Sequence, residues 1–398
     1  MTQKLYLDQP YGTVFEARVV STRPLETGNA HAVVLDRTLF YPESGGQLAD
    51  GGTLGGAPVV DVQEGADESV IHTVAGEVSA SAAVSGSIDW ARRFDHMQQH
   101  TGQHVLSRAF IETGGLHTVS FHMGEETCTV DLDGPAPDES AVRRAEDLAN
   151  RIVEENRPID ITTVPVEALD ALDLRRKVPE GVREARIVAV REFDRIPCCG
   201  THVRSTGELG LIKVLKTEKV KATQRVHFKV GARAFDDYRE KHAILQDLAN
   251  RLTTAPADVT AKVGRLLDES QSAAKRTKTL VQRLAAAEGA KLLATARPAG
   301  ERRVVVHRDA DAAFVRALAT LMQSEAGVVA ILGADDGSVV CAASRDVTID
   351  LAADVAAMAR ELGGSGGGKG GFAQLKLDPS RVDELMTRID AYVRTRLS

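Results

Sequence analysis

The sequence predicts an α+β fold in four parts. A small N-terminal β-barrel packs on an α+β domain, and a long helical hairpin and a small C-terminal α/β glycine-rich domain follow. Three observations predict this. Short apolar runs separated by Gly, Pro and Asp turns fill residues 1–85. Helix-period and strand-period segments alternate from residue 95 to 235. A seam stepping by three and four residues occupies 259–296, ahead of a Pro298-Ala299-Gly300 break. The boundaries that follow are 1–90, 91–234, 235–297 and 298–398.

TVFEARVVST, AHAVVLD, TLFY, APVVDVQ and AVSGSID read as the barrel strands. DHMQQHTGQHVLSRAFIETGG, residues 95–115, reads as a helix over His96–Glu112. Asp95 with Gln98 resembles a capping box, Gly114 and Gly115 supply the stop, and Val105, Leu106, Ala109 and Phe110 recur at helical spacing. TCTVDLD is a strand, and residues 138–156 form a capped amphipathic helix. ITTVPVE, ARIVAVREF, LIKVLKTEK and RVHFKVG are further strands. A helix from Phe235 to Leu252 and a TTAPAD turn precede the seam of Val259, Val263, Leu266, Ser270, Ala273, Thr277, Leu280, Leu284 and Ala287. A straight helix of that length spans ~57 Å, a spacer or the arm of a homodimer. RRVVVH, a helix over Ala310–Met322, GVVAILGA, SVVCAAS and a helix over Leu351–Leu362 make the last domain. GGSGGGKGG, residues 363–371, holds seven glycines in nine positions. It can wrap amides around a phosphate or admit a close backbone, but alone it reads as a mobile hinge. It is not a P-loop, because Gly370 follows Lys369.

Hydrophobic content of 43% and charged content of 26% are those of a soluble globular protein. No apolar run is long enough to span a membrane and MTQKLYLDQPYG is not a signal peptide, so a cytoplasmic location without a membrane partner is expected. Four cysteines, two of them adjacent, do not make a disulfide framework. The net charge of −7 argues against a nucleic-acid partner, but its distribution does not. Residues 1–206 carry 19 basic against 32 acidic side chains, whereas 207–300 carry 18 against 10. A basic middle on an acidic chain suits a phosphate-bearing partner, and equally suits a solvated coiled coil.

His96, His100 and His104 lie at four-residue steps on one helix face, the outer two ~12 Å apart. Only one adjacent pair can share an ion, and His100 belongs to either pair. A second candidate pair stands in PCCGTHVRSTGELG, residues 197–210, where Cys198 or Cys199 precedes His202. Together they make a Cys/His₃ set suited to one zinc per chain. A nucleophilic cysteine is the rival chemistry. A zinc protease is disfavoured, since neither HMQQH nor HTGQH carries a glutamate after its first histidine.

FYPESGGQLADGG (40–52), HTGQH (100–104), CCGTHVRSTGELG (198–210) and the glycine run followed by FAQ (363–374) stand in that order. In these blocks the chain resembles the long form of the AlaX-type alanyl-tRNA editing hydrolases, and the editing and C-terminal parts of alanyl-tRNA synthetase. The resemblance implies a deacylase that cleaves the ester of Ser-tRNA(Ala), or Gly-tRNA(Ala), with tRNA(Ala) as partner. It implies His100, His104, Cys198 and His202 as zinc ligands and leaves His96 as a flanking group, second to the ligands or facing RNA. The family motif reads Cys-Gly-Gly-Thr-His, and here Cys199 replaces the first glycine. Thr38 is the candidate for the serine hydroxyl, Gln47 offers an amide donor and acceptor, and Glu43 is a candidate acid/base. His122 is a candidate neighbour of the site, and Cys128 reads as core. Lys213, Lys216, Lys219, Lys221, Arg225 and Lys229 form the expected path for the acceptor stem, with Lys369 touching the tRNA further away. Length and the lack of a nucleotide-binding region argue against an intact synthetase. A zinc-stabilised tRNA-binding module without catalysis, and a zinc hydrolase of small esters or amides, are the alternatives.

Overall fold

The computed structural model describes residues 2–26, 29–178 and 181–397. They fall into two compact units, Met1–Asp247 and Leu248–Ser398. The first opens with a closed six-stranded barrel of β1 (Val14–Pro24), β2 (Ala30–Leu35), β3 (Gly52–Leu54), β4 (Ala57–Glu64), β5 (Val70–Ala75) and β6 (Ala83–Ile88), in the order β1-β2-β5-β4-β3-β6. Alternating burial, as in Ala83–Ile88, turns every second side chain into a core that includes Val33, Leu35, Phe40 and Leu54.

The helix α1 (Trp90–Gly114) leaves the barrel and carries the central histidines. It begins six residues earlier than expected. Asp89, not Asp95, is the N-cap and accepts from Arg92 N at 3.2 Å. Asp95 instead forms a two-oxygen ion pair with Arg233. Gly115, at φ 65°, ends the helix in the left-handed conformation. β7 (Thr118–Met123), β8 (Cys128–Leu132), α2 (Glu139–Glu154), β9 (Ile159–Pro165), β10 (Glu184–Val190), β11 (Asp194–Pro197), β12 (Ile212–Val220) and β13 (Thr223–Val230) follow. They form a four-stranded sheet, β12-β13-β8-β7, and a three-stranded sheet, β9-β10-β11. Met97, Val105, Leu106 and Phe110 of α1 join Ala145 and Ile152 of α2 and Val226 and Phe228 of β13 in one core. Gly102 lets this packing close, because a Cβ there would stand 2.5 Å from Val230 Cγ2.

Two helices, α3 (Ala232–Arg251) and α4 (Val259–Ala294), span the predicted helical region. The second unit then builds a six-stranded sheet from β14 (Arg297–Ala299), β15 (Arg302–Asp309), β16 (Val328–Ala334), β17 (Ser338–Ala343), β18 (Ser365–Lys369) and β19 (Phe372–Lys376), in the order β14-β15-β16-β17-β19-β18. Its helices are α5 (Ala312–Met322), α6 (Ala352–Glu361) and α7 (Val382–Leu397). β16 is buried along its whole length, as a central strand covered on both faces must be. The glycine run is not a hinge. Five of its residues pair with β19 as the edge strand β18, where a Cβ on Gly368 would lie 1.9 Å from Phe372 O. Close backbone approach is what those glycines serve.

Candidate functional site

Three separate segments of the first unit converge. His100 and His104 stand one turn apart on α1, Cys198 and His202 come from the turn after β11, and Gln47 comes from the glycine turn between β2 and β3. The ligand-type atoms of His100, His104, Cys198 and His202 all lie within 4.8 Å of one another. Cys198 Sγ is 3.4 Å from both His100 Nε2 and His202 Nε2. A tetrahedral zinc with ~2.0 Å bonds to nitrogen and ~2.3 Å to sulfur holds its ligand atoms roughly 3.3–3.6 Å apart, so this donor set fits that ion. The cluster can hold a metal ion. His96 is not part of it: the ring is buried one turn earlier, 1% exposed, and so does not face RNA either.

The surroundings hold the ligands in a binding-ready state. Gln47 Oε1 accepts from Thr201 N at 3.1 Å and meets His100 Nδ1 at 2.7 Å. An amide oxygen only accepts, so Nδ1 carries the proton and the Nε2 lone pair faces the cluster. The Thr101 hydroxyl meets His202 Nδ1 at 3.0 Å and anchors the second ring in place. Burial pushes the His100 imidazole down to about 3, with the Arg186 charge adding to it. Burial likewise holds His104 and His202 well below the ordinary histidine range, all three therefore neutral. Burial pushes the Cys198 thiol up to about 11. A metal ligand and a nucleophile both act as the thiolate, so this shift does not separate them; the convergence of three imidazoles with the sulfur within 4.8 Å is what favours a ligand. Arg186 clasps the ligand turn by donating to Cys198 O at 2.8 Å and Gly200 O at 3.1 Å.

A cavity of about 510 Å³ opens beside the cluster, lined by His100, His104 and Cys198 together with Gln103, Ser120 and Arg175, among others. Cys199 is exposed on its rim, while Cys198 turns inward and is the thiol that joins the cluster. Gly200 has to be glycine, since a Cβ there would lie 2.1 Å from His100 Cε1. Thr38 is not brought to the cavity wall. It is fully buried, its hydroxyl meets His72 Nε2 at 2.8 Å, and it accepts from Phe40 N at 3.0 Å. Glu43 is exposed and also off the wall, and Gln47 is committed to His100 and Thr201. His122 points outward from β7, and Cys128 is fully buried core.

The basic stretch is interlaced with acids. Lys213 pairs with Glu146, Lys216 with Glu218, Arg225 with Asp131 and Lys229 with Asp237. Among the described residues, Lys219 and Lys221 have no acidic partner and are exposed, as is Lys369 on β18. Thr101 and Arg186 went unnoticed in the sequence. Thr101 adjoins His100 within HTGQH and was legible there, whereas Arg186 carries no local signal.

A six-stranded barrel, a helix and the turn after β11 together define a domain whose Cys/His₃ set can hold a metal ion beside an open polar cavity. Three family profiles match the chain: tRNA synthetases class II (A) over residues 13–92, the Threonyl and Alanyl tRNA synthetase second additional domain over 185–227, and the DHHA1 domain over 275–395. The chain is 30% identical to the alanyl-tRNA editing protein Aarsd1 of Rattus norvegicus over 406 residues, 97% of each protein. It is 29% identical to the alanyl-tRNA editing protein AlaX-L of Pyrococcus horikoshii over 95% of each. The alanine–tRNA ligase of Ignicoccus hospitalis is 29% identical over the whole chain, which spans only 44% of that enzyme. The chain belongs to the alanyl-tRNA editing protein family.

Proposed function

We propose that the protein is an aminoacyl-tRNA deacylase that acts in trans, in the cytoplasm, on tRNA(Ala) mischarged with serine or glycine. The observation that carries this reading is the buried Cys/His₃ cluster opening on a polar cavity, in a chain whose relatives over nearly its full length are named alanyl-tRNA editing proteins. The need for such an activity is physical. A pocket built for alanine cannot exclude glycine and only weakly rejects one added hydroxyl, so errors are corrected at a second site.

One zinc per chain would be held by His100, His104, Cys198 and His202, and it would supply a fixed positive charge beside the cavity. Four protein donors leave its coordination filled, which favours orientation of the substrate's amine or ribose over delivery of water. Gln47 fixes the His100 tautomer, Thr101 anchors the His202 ring, and Arg186 fixes the ligand turn. Gln47 is in this reading a positioning residue, and Thr38 supports the barrel rather than the serine hydroxyl. Gln103 on the cavity wall, whose amide nitrogen donates to Ser107 at 2.7 Å, offers its amide oxygen to that hydroxyl instead. Lys219, Lys221 and Lys369 are the exposed cations available to tRNA phosphates. The exposed Leu266, Leu267, Leu280 and Leu284 of α4 offer a face for a homodimer, which sedimentation at several concentrations tests.

Deacylation of Ser-, Gly- and Ala-tRNA(Ala) by wild type and Cys198→Ala tests the reading. Serine release by wild type, sparing of alanine and loss of activity with metal in the variant are expected. Survival of Ser-tRNA(Ala) in the presence of zinc-loaded wild type would leave only an RNA-binding module. Equal activity on a free seryl ester would favour a small-ester hydrolase.

A further inference from the structure

We propose that Arg175 and Arg176 form an anion seat in the cavity wall that takes the RNA phosphodiester nearest the aminoacylated end. This rests on the deacylase reading of the same site. Both residues line the cavity that His100, His104 and Cys198 open onto, and no aspartate or glutamate lines it among the described residues. The local sign is therefore positive although residues 1–206 carry 19 basic against 32 acidic side chains. A cationic cleft with low-dielectric walls concentrates an anionic ligand.

Arg175 supplies the second, independent observation. Its side chain is 6% exposed and that of Asp194 is 1% exposed, and Arg175 Nε lies 2.9 and 3.1 Å from the two Asp194 oxygens. Asp194 thus sits behind the guanidinium and occupies its Nε edge. The buried Nη2 is left with no hydrogen-bond partner. A buried guanidinium N–H without an acceptor is costly and uncommon, and because Arg175 also lines the cavity, a small turn of its guanidinium toward an entering acceptor would satisfy it. Arg176 beside it has no carboxylate partner among the described residues. Two guanidinium groups with free donors match the oxygens of a phosphate. A serine carboxylate exists only after cleavage, whereas the phosphodiester is present when substrate binds, so the phosphodiester is the ligand assigned.

The test uses the full-length, metal-loaded protein and a short single-stranded RNA, made with either a normal or an uncharged methylphosphonate last linkage. Wild type should bind the charged RNA about 10-fold or more tighter. Arg176→Gln should reduce that preference toward unity and lower the salt slope of binding by about one, whereas Arg175→Lys, which keeps the charge and loses the planar fork, should reduce the preference with little change in slope. In deacylation, the variants should raise KM for seryl-RNA and leave activity on seryl-adenosine, which has no phosphate, within about twofold. Arg175→Gln combined with Asp194→Asn keeps a neutral hydrogen-bonded pair should Arg175→Lys fail to fold, and metal content reports on folding. Equal binding of the two RNAs by wild type overturns the seat. So does an unchanged preference in folded variants, or a variant effect confined to inhibition by free serine, which would make it a product-carboxylate site. Discrimination between the RNAs without any deacylation would instead sink the hydrolase reading and leave the seat standing.

Discussion

At the scale of single residues, the site turns on which positions tolerate a side chain. Gly200 faces His100 so closely that any Cβ must displace a ligand ring, while Cys199 beside it is exposed. Gly200→Ala should weaken metal binding at least 10-fold, and Cys199→Gly should leave it unchanged, as read by competition with a chromophoric chelator. The same asymmetry explains how a cysteine can stand where the family has its first glycine. Gln47→Ala should cost about 10–100-fold in metal affinity, because His100 loses the acceptor that fixes its tautomer. An unchanged affinity would show that the ring is held by packing alone. The cluster was legible in the sequence because each pair sits within five residues, HTGQH and CCGTH, and because the family resemblance chose between pairs. Arg175 was not legible, since its meaning depends on Asp194, 19 residues away, and on a cavity that exists only after folding.

At the scale of elements, the junction between barrel and α1 is held by a fully buried ion pair. Arg93 donates through Nε to both Asp50 oxygens at 3.0 and 3.1 Å and through Nη1 to Pro10 O at 2.8 Å. Asp50 also accepts from Tyr41 N at 2.6 Å. Removing one partner strands the other charge, so Arg93→Ala should destabilise by about 3–5 kcal/mol in denaturant titrations, and Arg93→Met with Asp50→Leu by clearly less. Inside the barrel, burial pushes His72 down to about 4 from an ordinary 6.5, and the ring meets Thr38 Oγ1 at 2.8 Å and Val33 O at 3.0 Å. The unfolded chain then binds this proton at higher pH than the folded one. Stability is complete above about pH 6.5 and falls as the pH drops toward 4, by about 3 kcal/mol for this group. His72→Leu with Thr38→Val should reduce the proton uptake on unfolding at pH 5 by about one, and an unchanged uptake would refute the assignment. Element boundaries were harder to read than element types. Asp95 has the residue pattern of a cap, but its carboxylate is taken by Arg233 from α3, a partner 138 positions away. The glycine run looked like a hinge because pairing with Phe372–Lys376 is what makes it a strand.

At the scale of the whole molecule, the cores are disjoint. Those of the first unit draw on residues between Phe15 and Val230, and those of the second on residues between Ala285 and Val393. No described core residue is shared, so a chain ending at Thr254 should retain the metal and fold. All the groups assigned to chemistry lie in that part, which makes kcat independent of the remainder. Affinity for a large substrate is another matter. A second, weak contact on the same chain raises the effective concentration of the first without altering the reacting geometry. The second unit presents Lys369 on an exposed edge strand, and residues 301–398 carry 12 basic against 14 acidic side chains, so a contact there is local rather than bulk attraction. The truncated chain should therefore keep kcat within about twofold and raise KM for full-length Ser-tRNA(Ala) by about 10–100-fold. It should show no KM change for a seryl-RNA too short to reach a second contact. Lys369→Ala in the full chain should reproduce part of the KM effect. Equal KM values for the full and truncated chains on the long substrate would restrict recognition to the first unit. A parallel fall in kcat on both substrates would instead mean that the second unit supports the site's structure, and the metal content of the truncated chain would then fall with it.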